Sequence, residues 1–289
     1  MKKLTLLSAI IVIVSISNLL TACSVHYNDL SNDLDLIMEK SFPISKGKDL
    51  RVKGQSGDIV VTTWDKAEVY FKILGNEKAK ERFEFNFDSD DSFVELITES
   101  KGTFSNWFGG ASLRIEIKVP KKFNTDLHTS GGDITLTGVQ GSARLKTSGG
   151  DIDLAGVQGD IQLKTSGGDI EGKDFQGSLD ASTSGGDISL NGGNSEINAS
   201  TSGGDIDLNY SGENMGINLS TSGGDITAKL PSDFNASMEI STSGGEVSCS
   251  LTMNNATKIS SRKLIADLNN GGKKFYAHTS GGDVDVMKK

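Results

Sequence analysis

The tetrapeptide Thr-Ser-Gly-Gly begins at Thr129, Thr147, Thr165, Thr183, Thr201, Thr221, Thr242 and Thr279, with spacings of 18, 18, 18, 18, 20, 21 and 37 residues. A period this regular restricts the chain to architectures in which each unit buries its apolar side against copies of itself. Within the unit, alternate positions are apolar. Four residues before the threonine come Ala143, Ile161, Leu179, Ile197, Ile217 and Met238, and two before come Leu145, Leu163, Ala181, Ala199, Leu219 and Ile240. Five after it come Ile134, Ile152, Ile170, Ile188, Ile206, Ile226, Val247 and Val284. A period of two means strands. Each unit is therefore two short strands, joined by Ser-Gly-Gly-Asp on one side and by a turn such as Gly138-Val139-Gln140-Gly141 on the other, with glycines that permit positive φ in tight corners.

Two all-β architectures fit. In a single-stranded parallel β-solenoid each unit of about 18 residues is one coil, and equivalent residues stack about 4.8 Å apart. In an antiparallel β-meander each Gly-Gly is a two-residue hairpin. Near-identical units favour the solenoid, because like stacked on like fills a narrow core repeatedly. The spacing of 37 is about twice the unit, which predicts a degenerate coil between Ser243 and His278, with Asn270-Gly271-Gly272 as its remnant. Regular repeats thus span residues 129–289.

Residues 41–128 carry the pattern in divergent form. Gln55-Ser56-Gly57-Asp58-Ile59 is a degenerate corner, followed by alternation through Val61, Val69, Phe71 and Ile73, then Phe83, Phe85 and Phe87, and later Leu113 to Val119. Asn76 to Arg82 reads as one or two helical turns. Most of the aromatics lie in this half, which predicts a wider core that caps the solenoid and shields its first edge. Val119-Pro120-Lys121-Lys122-Phe123-Asn124 and Leu230-Pro231-Ser232-Asp233-Phe234-Asn235 are two versions of one segment, each leading into a repeat, and each marks a modified corner. The leading Ser-Gly-Asp-Ile corner, the Pro-containing strand and the serial Ser-Gly-Gly-Asp-Ile units resemble a bacterial adhesin-labelled family of β-strand-repeat domains of otherwise unknown function. The resemblance covers about Leu50 to Val286 and implies a right-handed β-solenoid in a cell-envelope setting.

The first residues make an export signal. Lys2 and Lys3 precede an uncharged apolar run, Leu4 to Leu20, too short and wrongly flanked for a comfortable membrane span. The run ends in Leu20-Thr21-Ala22-Cys23, which looks like a lipobox, so residues 1–22 are read as a lipoprotein signal peptide and Cys23 as the lipidated residue. Two or three acyl chains make such attachment effectively permanent. Ser24 at the next position favours the outer membrane where the host has one. Residues 23–40, polar and acidic, are read as a lipidated tether. Two lysines and no acids leave with the signal, so the formal charge of −9 becomes −11, which argues against nucleic acid as a partner.

The acidic column after the glycines is the first candidate for chemistry: Asp133, Asp151, Asp169, Asp187, Asp205 and Asp225, continued by Glu246 and Asp283. These carboxylates either bond to backbone N–H groups of their own corners while facing water, or hold a row of Ca²⁺ ions bridging coils. The nonapeptide Ca²⁺ solenoids need Gly-Gly-x-Gly-x-Asp, whereas this chain has Gly-Gly-Asp-Ile. The threonine column follows the inward parity, so its hydroxyls form a ladder or bond to corner backbone. His128 and His278 sit about 40 Å apart if eight coils separate them, so they share no site. Phe104, Trp107 and Phe108 are read as standing in a loop rich in glycine and serine; they either contact a sugar or protein partner or plug the N-terminal core. No nucleophile, metal or cofactor constellation is legible. The expected function is a non-catalytic envelope module, adhesin-like or scaffolding, that contacts a glycan or an envelope protein. A polysaccharide-active β-helix enzyme and an envelope-stress signalling component are the alternatives.

Overall fold

Alternation sets which side chains turn inward, and the corners set where one strand hands over to the next. The computed structural model describes residues 34–44, 48–101 and 110–289. Its N-terminal part comprises β1 (Asp35–Pro43), β2 (Asp49–Gly54), β3 (Asp58–Trp64), β4 (Glu68–Gly75), helix α1 (Glu77–Arg82), β5 (Phe83–Ser89), β6 (Phe93–Ser100) and β7 (Leu113–Pro120). The regular part comprises β8 (Asn124–His128), β9 (Ile134–Thr137), β10 (Ala143–Lys146), β11 (Ile152–Ala155), β12 (Gln158–Lys164) and β13 (Ile170–Lys173). It continues through β14 (Gln176–Ser182), β15 (Ile188–Gly193), β16 (Ser195–Ser200), β17 (Ile206–Ser211), β18 (Ile217–Thr221) and β19 (Ile226–Leu230). The last part holds β20 (Ala236–Thr242), β21 (Val247–Cys249), β22 (Met253–Ser260), β23 (Lys263–Leu268), β24 (Lys274–Thr279) and β25 (Val284–Lys288).

These strands form two sheets, one of 12 strands and one of 13. Each Thr-Ser-Gly-Gly corner carries the chain from the second sheet to the first, and each pairing between regular coils is parallel. The fold is therefore a parallel β-solenoid and not a meander of hairpins. Register is like on like: Ile152 lies between Ile134 and Ile170 in the first sheet, and Leu145 between Leu127 and Leu163 in the second. The inward residues of both sheets are buried in one continuous apolar core. Val139, Val157 and Phe175 add a third buried row at the second turn.

The rungs do not follow chain order at either end. The first sheet runs β1-β4-β7-β3-β9-β11-β13-β15-β17-β19-β25-β21, and the second runs β22-β23-β20-β24-β18-β16-β14-β12-β10-β8-β2-β6-β5. The coil β2–β3 thus lies between β6–β7 and β8–β9, and the last coil, β24–β25, lies between β18–β19 and β20–β21. The chain skips a rung at each end and fills it with a segment from elsewhere. Both skips fall on the two Pro-containing segments: Lys121 to Phe123 carries β7 to β8 past β2, and Pro231 to Asn235 carries β19 to β20 past the slot of β24. Their modified corners are two-rung crossovers, anchored by buried Phe123 and Phe234.

This order corrects three expectations. The degenerate coil between Ser243 and His278 is not a coil: β22 and β23 form an antiparallel hairpin on the edge of the second sheet only, and Asn270-Gly271-Gly272 is the link from β23 to β24. Because the last coil is slotted inward, six rungs separate His278 from His128, about 29 Å and not 40. Residues 35–40, expected to belong to a tether, instead lie in β1, which pairs antiparallel with β4 from Asp35 onward. That pairing is joined by a hydrogen bond of 2.7 Å from the Tyr70 hydroxyl to Glu39, which pushes the Tyr70 pKa up to about 12. The N-terminal aromatics pack where sequence placed a wider core: Phe71 stands edge-on to Phe42 and Phe87, with ring centroids 5.9 and 5.2 Å away. Helix α1 is capped by Asn76, whose side chain accepts from the Ala79 N–H.

Candidate functional site

The corner is built from three residue roles that repeat from rung to rung. The threonine turns inward, and its hydroxyl donates to the carbonyl of the second glycine in the rung before: Thr147 to Gly132, Thr165 to Gly150, Thr183 to Gly168 and Thr201 to Gly186, each at 2.9 Å. The aspartate works in the opposite sense. Its carboxylate accepts the N–H of the aspartate in the rung after, from Asp151 to Asp133 (2.9 Å), Asp169 to Asp151 (2.8 Å), Asp187 to Asp169 (2.8 Å) and Asp205 to Asp187 (2.8 Å). The row continues through Asp225 and Asp283 to Glu246, with Asp283 in the slotted rung. Asp58 of the degenerate corner begins it, accepting from Asp133 at 3.1 Å. Each carboxylate therefore ties successive coils together and does not merely close its own turn.

The glycines of this corner serve contact and not conformation. None of Gly132, Gly150, Gly168, Gly186 or Gly204 has positive φ; apart from Gly57 of the degenerate corner, positive φ in these coils falls on the other side, at Gly138, Gly156, Gly159, Gly177, Asp174 and Asn194. A Cβ on Gly150 would overlap the Gly132 carbonyl, and the same holds rung by rung for the second glycine. The first glycine, by contrast, faces open space or ordinary contact distances at Gly131, Gly149, Gly167, Gly185 and Gly203, and is crowded only towards the end, at Gly223, Gly281 and Gly244. Backbones stacked this closely are the reason for that second glycine.

Outside the corner the first sheet presents acids. Asp153 lies beside Glu171 in the next rung, and burial followed by the charges of Glu171, Asp151 and Asp133 raises its pKa above the ordinary carboxylate value. Among the described residues no group of three or more His, Cys, Asp or Glu is placed to hold a metal ion. Cys23, Phe104, Trp107 and Phe108 lie outside the described residues.

The outer face of the second sheet is different. Its middle lane, read across the rungs, is Glu95, Arg51, Asp126, Arg144, Gln162, Asp180, Asn198, Asn218, Tyr276 and Glu239. Neighbours in it bond along the axis: Arg144 donates to Gln162 at 3.0 Å and lies 3.9 Å from Asp126, and the Asn218 amide donates to Asn198 at 2.8 Å. A shallow groove of about 550 Å³ crosses the first of these rungs, bordered by Asp49, Arg51, Asp126, Arg144, Asp160 and Gln162. Further along, Lys274 sits 4.6 Å over the half-exposed Tyr276 ring. Apart from His128 and His278, the residues of this face carry no motif in the sequence. The signal was available: outward positions are the inward ones displaced by one residue, so the residue before each corner threonine belongs to a single outward lane.

Comparison with known proteins gives the family and little beyond it. No curated protein matches the chain. Among crystal structures, the chain is similar to a "putative adhesin" from Bacteroides fragilis NCTC 9343, at 14% identity over 89% of this chain and 98% of that one, with a TM-score of 0.47. It is also similar to a "putative cell adhesion protein" from Clostridium sporogenes ATCC 15579, at 15% identity over 87% and 99% with a TM-score of 0.25. A "putative lipid binding protein" from Parabacteroides distasonis ATCC 8503 matches at 14% identity over 86% and 96%, with a TM-score of 0.44. The profile of the Toastrack DUF4097 family matches residues 47–287, from the first inserted coil to the last, and the chain belongs to that family, a domain of unknown function.

Proposed function

We propose that the protein is a lipid-anchored cell-envelope β-solenoid that acts as a non-catalytic binding module, adhesin-like or scaffolding, and contacts a glycan or an envelope protein through the outer face of its second sheet. The groove bordered by Arg51, Asp126, Arg144, Asp160 and Gln162 carries this reading. Its polar groups are held in register by the ladder, one or two per rung, so they meet a ligand preorganised. They are spread along the axis and not gathered on one point, which suits contact with an extended partner better than bond cleavage at a single centre. The basic start, the apolar run and Leu20-Thr21-Ala22-Cys23 support the anchor.

Two experiments test the two halves. Cells given a labelled fatty acid incorporate it into the wild-type chain and not into Cys23→Ser; equal labelling overturns the anchor. Immobilised full-length protein retains a component from envelope extracts, and Arg144→Glu reduces that retention at least tenfold. If the retained material is the same for both, the groove is not the binding face.

A further inference from the structure

The lane just before the corner threonines places Lys53, His128, Lys146 and Lys164 on four successive rungs of the second sheet, followed by Ser182, Ser200, Ser220 and His278. Lys53, Lys146 and Lys164 are exposed. Lys53 is spent on Glu95 at 2.9 Å, but among the described residues Lys146 and Lys164 meet no carboxylate within 4.0 Å. Other lysines are paired, Lys173 with Glu171 and both Lys263 and Lys274 with Glu239, whereas Lys146 and Lys164 stand on adjacent rungs without such a partner. Their strands stack about 4.8 Å apart, so the two ammonium groups, with no counter-charge between them, repel each other. In a chain of formal charge −9, two neighbouring lysines without a carboxylate partner leave a place for an anion supplied from outside.

The surroundings define the shape of that anion. Arg144 and Gln162 flank the lysines on one side. The exposed serines of the corner, Ser130, Ser148 and Ser166, flank them on the other. Past those serines runs the Asp133-Asp151-Asp169 column, which repels a broad polyanion and confines a ligand to a narrow track. The track runs along the axis for about 29 Å from Lys53 to Ser220, cationic first and then lined with hydroxyls. Resting on the binding-face reading above, we infer that the partner of this face is a linear acidic glycan lying along the solenoid axis, with carboxylate or sulfate groups on Lys146 and Lys164 and sugar hydroxyls on the serine end. The rung spacing is comparable with the length of one sugar residue in an extended chain, so acidic groups recur in step with the lysines. Duplex nucleic acid, wide and charged on all sides, fits the neighbouring Asp column poorly.

The test uses the full-length protein with four probes: polygalacturonate for carboxylates, heparin for sulfates, dextran as a neutral chain and duplex DNA. Binding is followed by thermophoresis at several salt concentrations. The expected result is binding of one or both acidic glycans that weakens with salt, falls at least tenfold in Lys146→Glu/Lys164→Glu, and is unchanged in Lys173→Glu/Lys229→Glu on the opposite sheet. Circular dichroism and melting of both double variants check that they fold. Equal loss in the two double variants, dextran bound as well as the acidic chains, or DNA bound in preference overturns the inference. If no acidic glycan binds while envelope extracts still yield a component lost in Arg144→Glu, the lysine track is refuted and the binding face stands. If both fail, the face itself is refuted.

Discussion

Deleting residues 274–289 removes the last 16 residues of the chain but not its last rung, because β24 and β25 occupy the slot between β18–β19 and β20–β21. The deletion takes away Phe275, Ala277, Val284 and Val286, all at 0% exposure. At about 1.5–3 kcal/mol for each of the three larger side chains, the lost burial alone amounts to roughly 5–9 kcal/mol, comparable with the whole stability of an ordinary domain. The hydrogen bonds from Thr279 to Gly224 and from Thr242 to Gly282 go with them, as do both parallel ladders. Strands β20 to β23 are then left about 10 Å from their nearest neighbours across an empty rung. In a solenoid whose rungs follow chain order, the same cut frays one end coil. Here the expected outcome is that residues 231–268 lose hydrogen-exchange protection and become sensitive to protease, while residues 134–211 keep theirs. Exchange followed by mass spectrometry on the truncated and intact chains reads both regions at once. Undiminished protection of 231–268, with an unchanged melting temperature, would refute the reasoning: it would mean that the hairpin cap stands on its own or settles directly onto β18–β19.

Smaller perturbations probe the corner. Gly150→Ala drives a methyl group into the Gly132 carbonyl and is expected to destabilise by about 1–3 kcal/mol, whereas Gly149→Ala, whose nearest neighbour is Ser130 O at 3.9 Å, stays within about 0.5 kcal/mol in urea titrations. Thr165→Val removes the 2.9 Å bond to the Gly150 carbonyl from a buried position and is expected to destabilise by about 1–3 kcal/mol, measured the same way. Asp153 holds its proton more tightly folded than unfolded, so ionising it weakens the fold as pH rises from the ordinary value of 3.8 through the raised folded one. Asp153→Asn is therefore expected to melt higher than wild type at neutral pH and to lose that advantage below pH 3.8; an advantage that persists in acid would refute the assignment.

How much of this was legible before the structure depends on whether the cause was local. Period-two alternation and the 18-residue repeat determined that the chain folds into short strands, which side chains turn inward and that Thr165 and its equivalents are buried, because those properties follow from the pleat of a single strand. The acidic column was legible as a column for the same reason. Its bonding was not: whether Asp151 serves its own corner or the next depends on how closely two backbones stack, as does the reason for Gly150. Nor was rung order legible. Coils that present the same Ile, Leu and Thr to their neighbours stack in almost any sequence with nearly equal local energy, so like-on-like pairing leaves the order undetermined. Tertiary closure at the two ends decides it. Buried Phe123 and Phe234 let the chain stride across two rungs, the hairpin β22–β23 covers the far edge of the second sheet, and β2–β3 and β24–β25 are held inside, where each gains a neighbour on both sides.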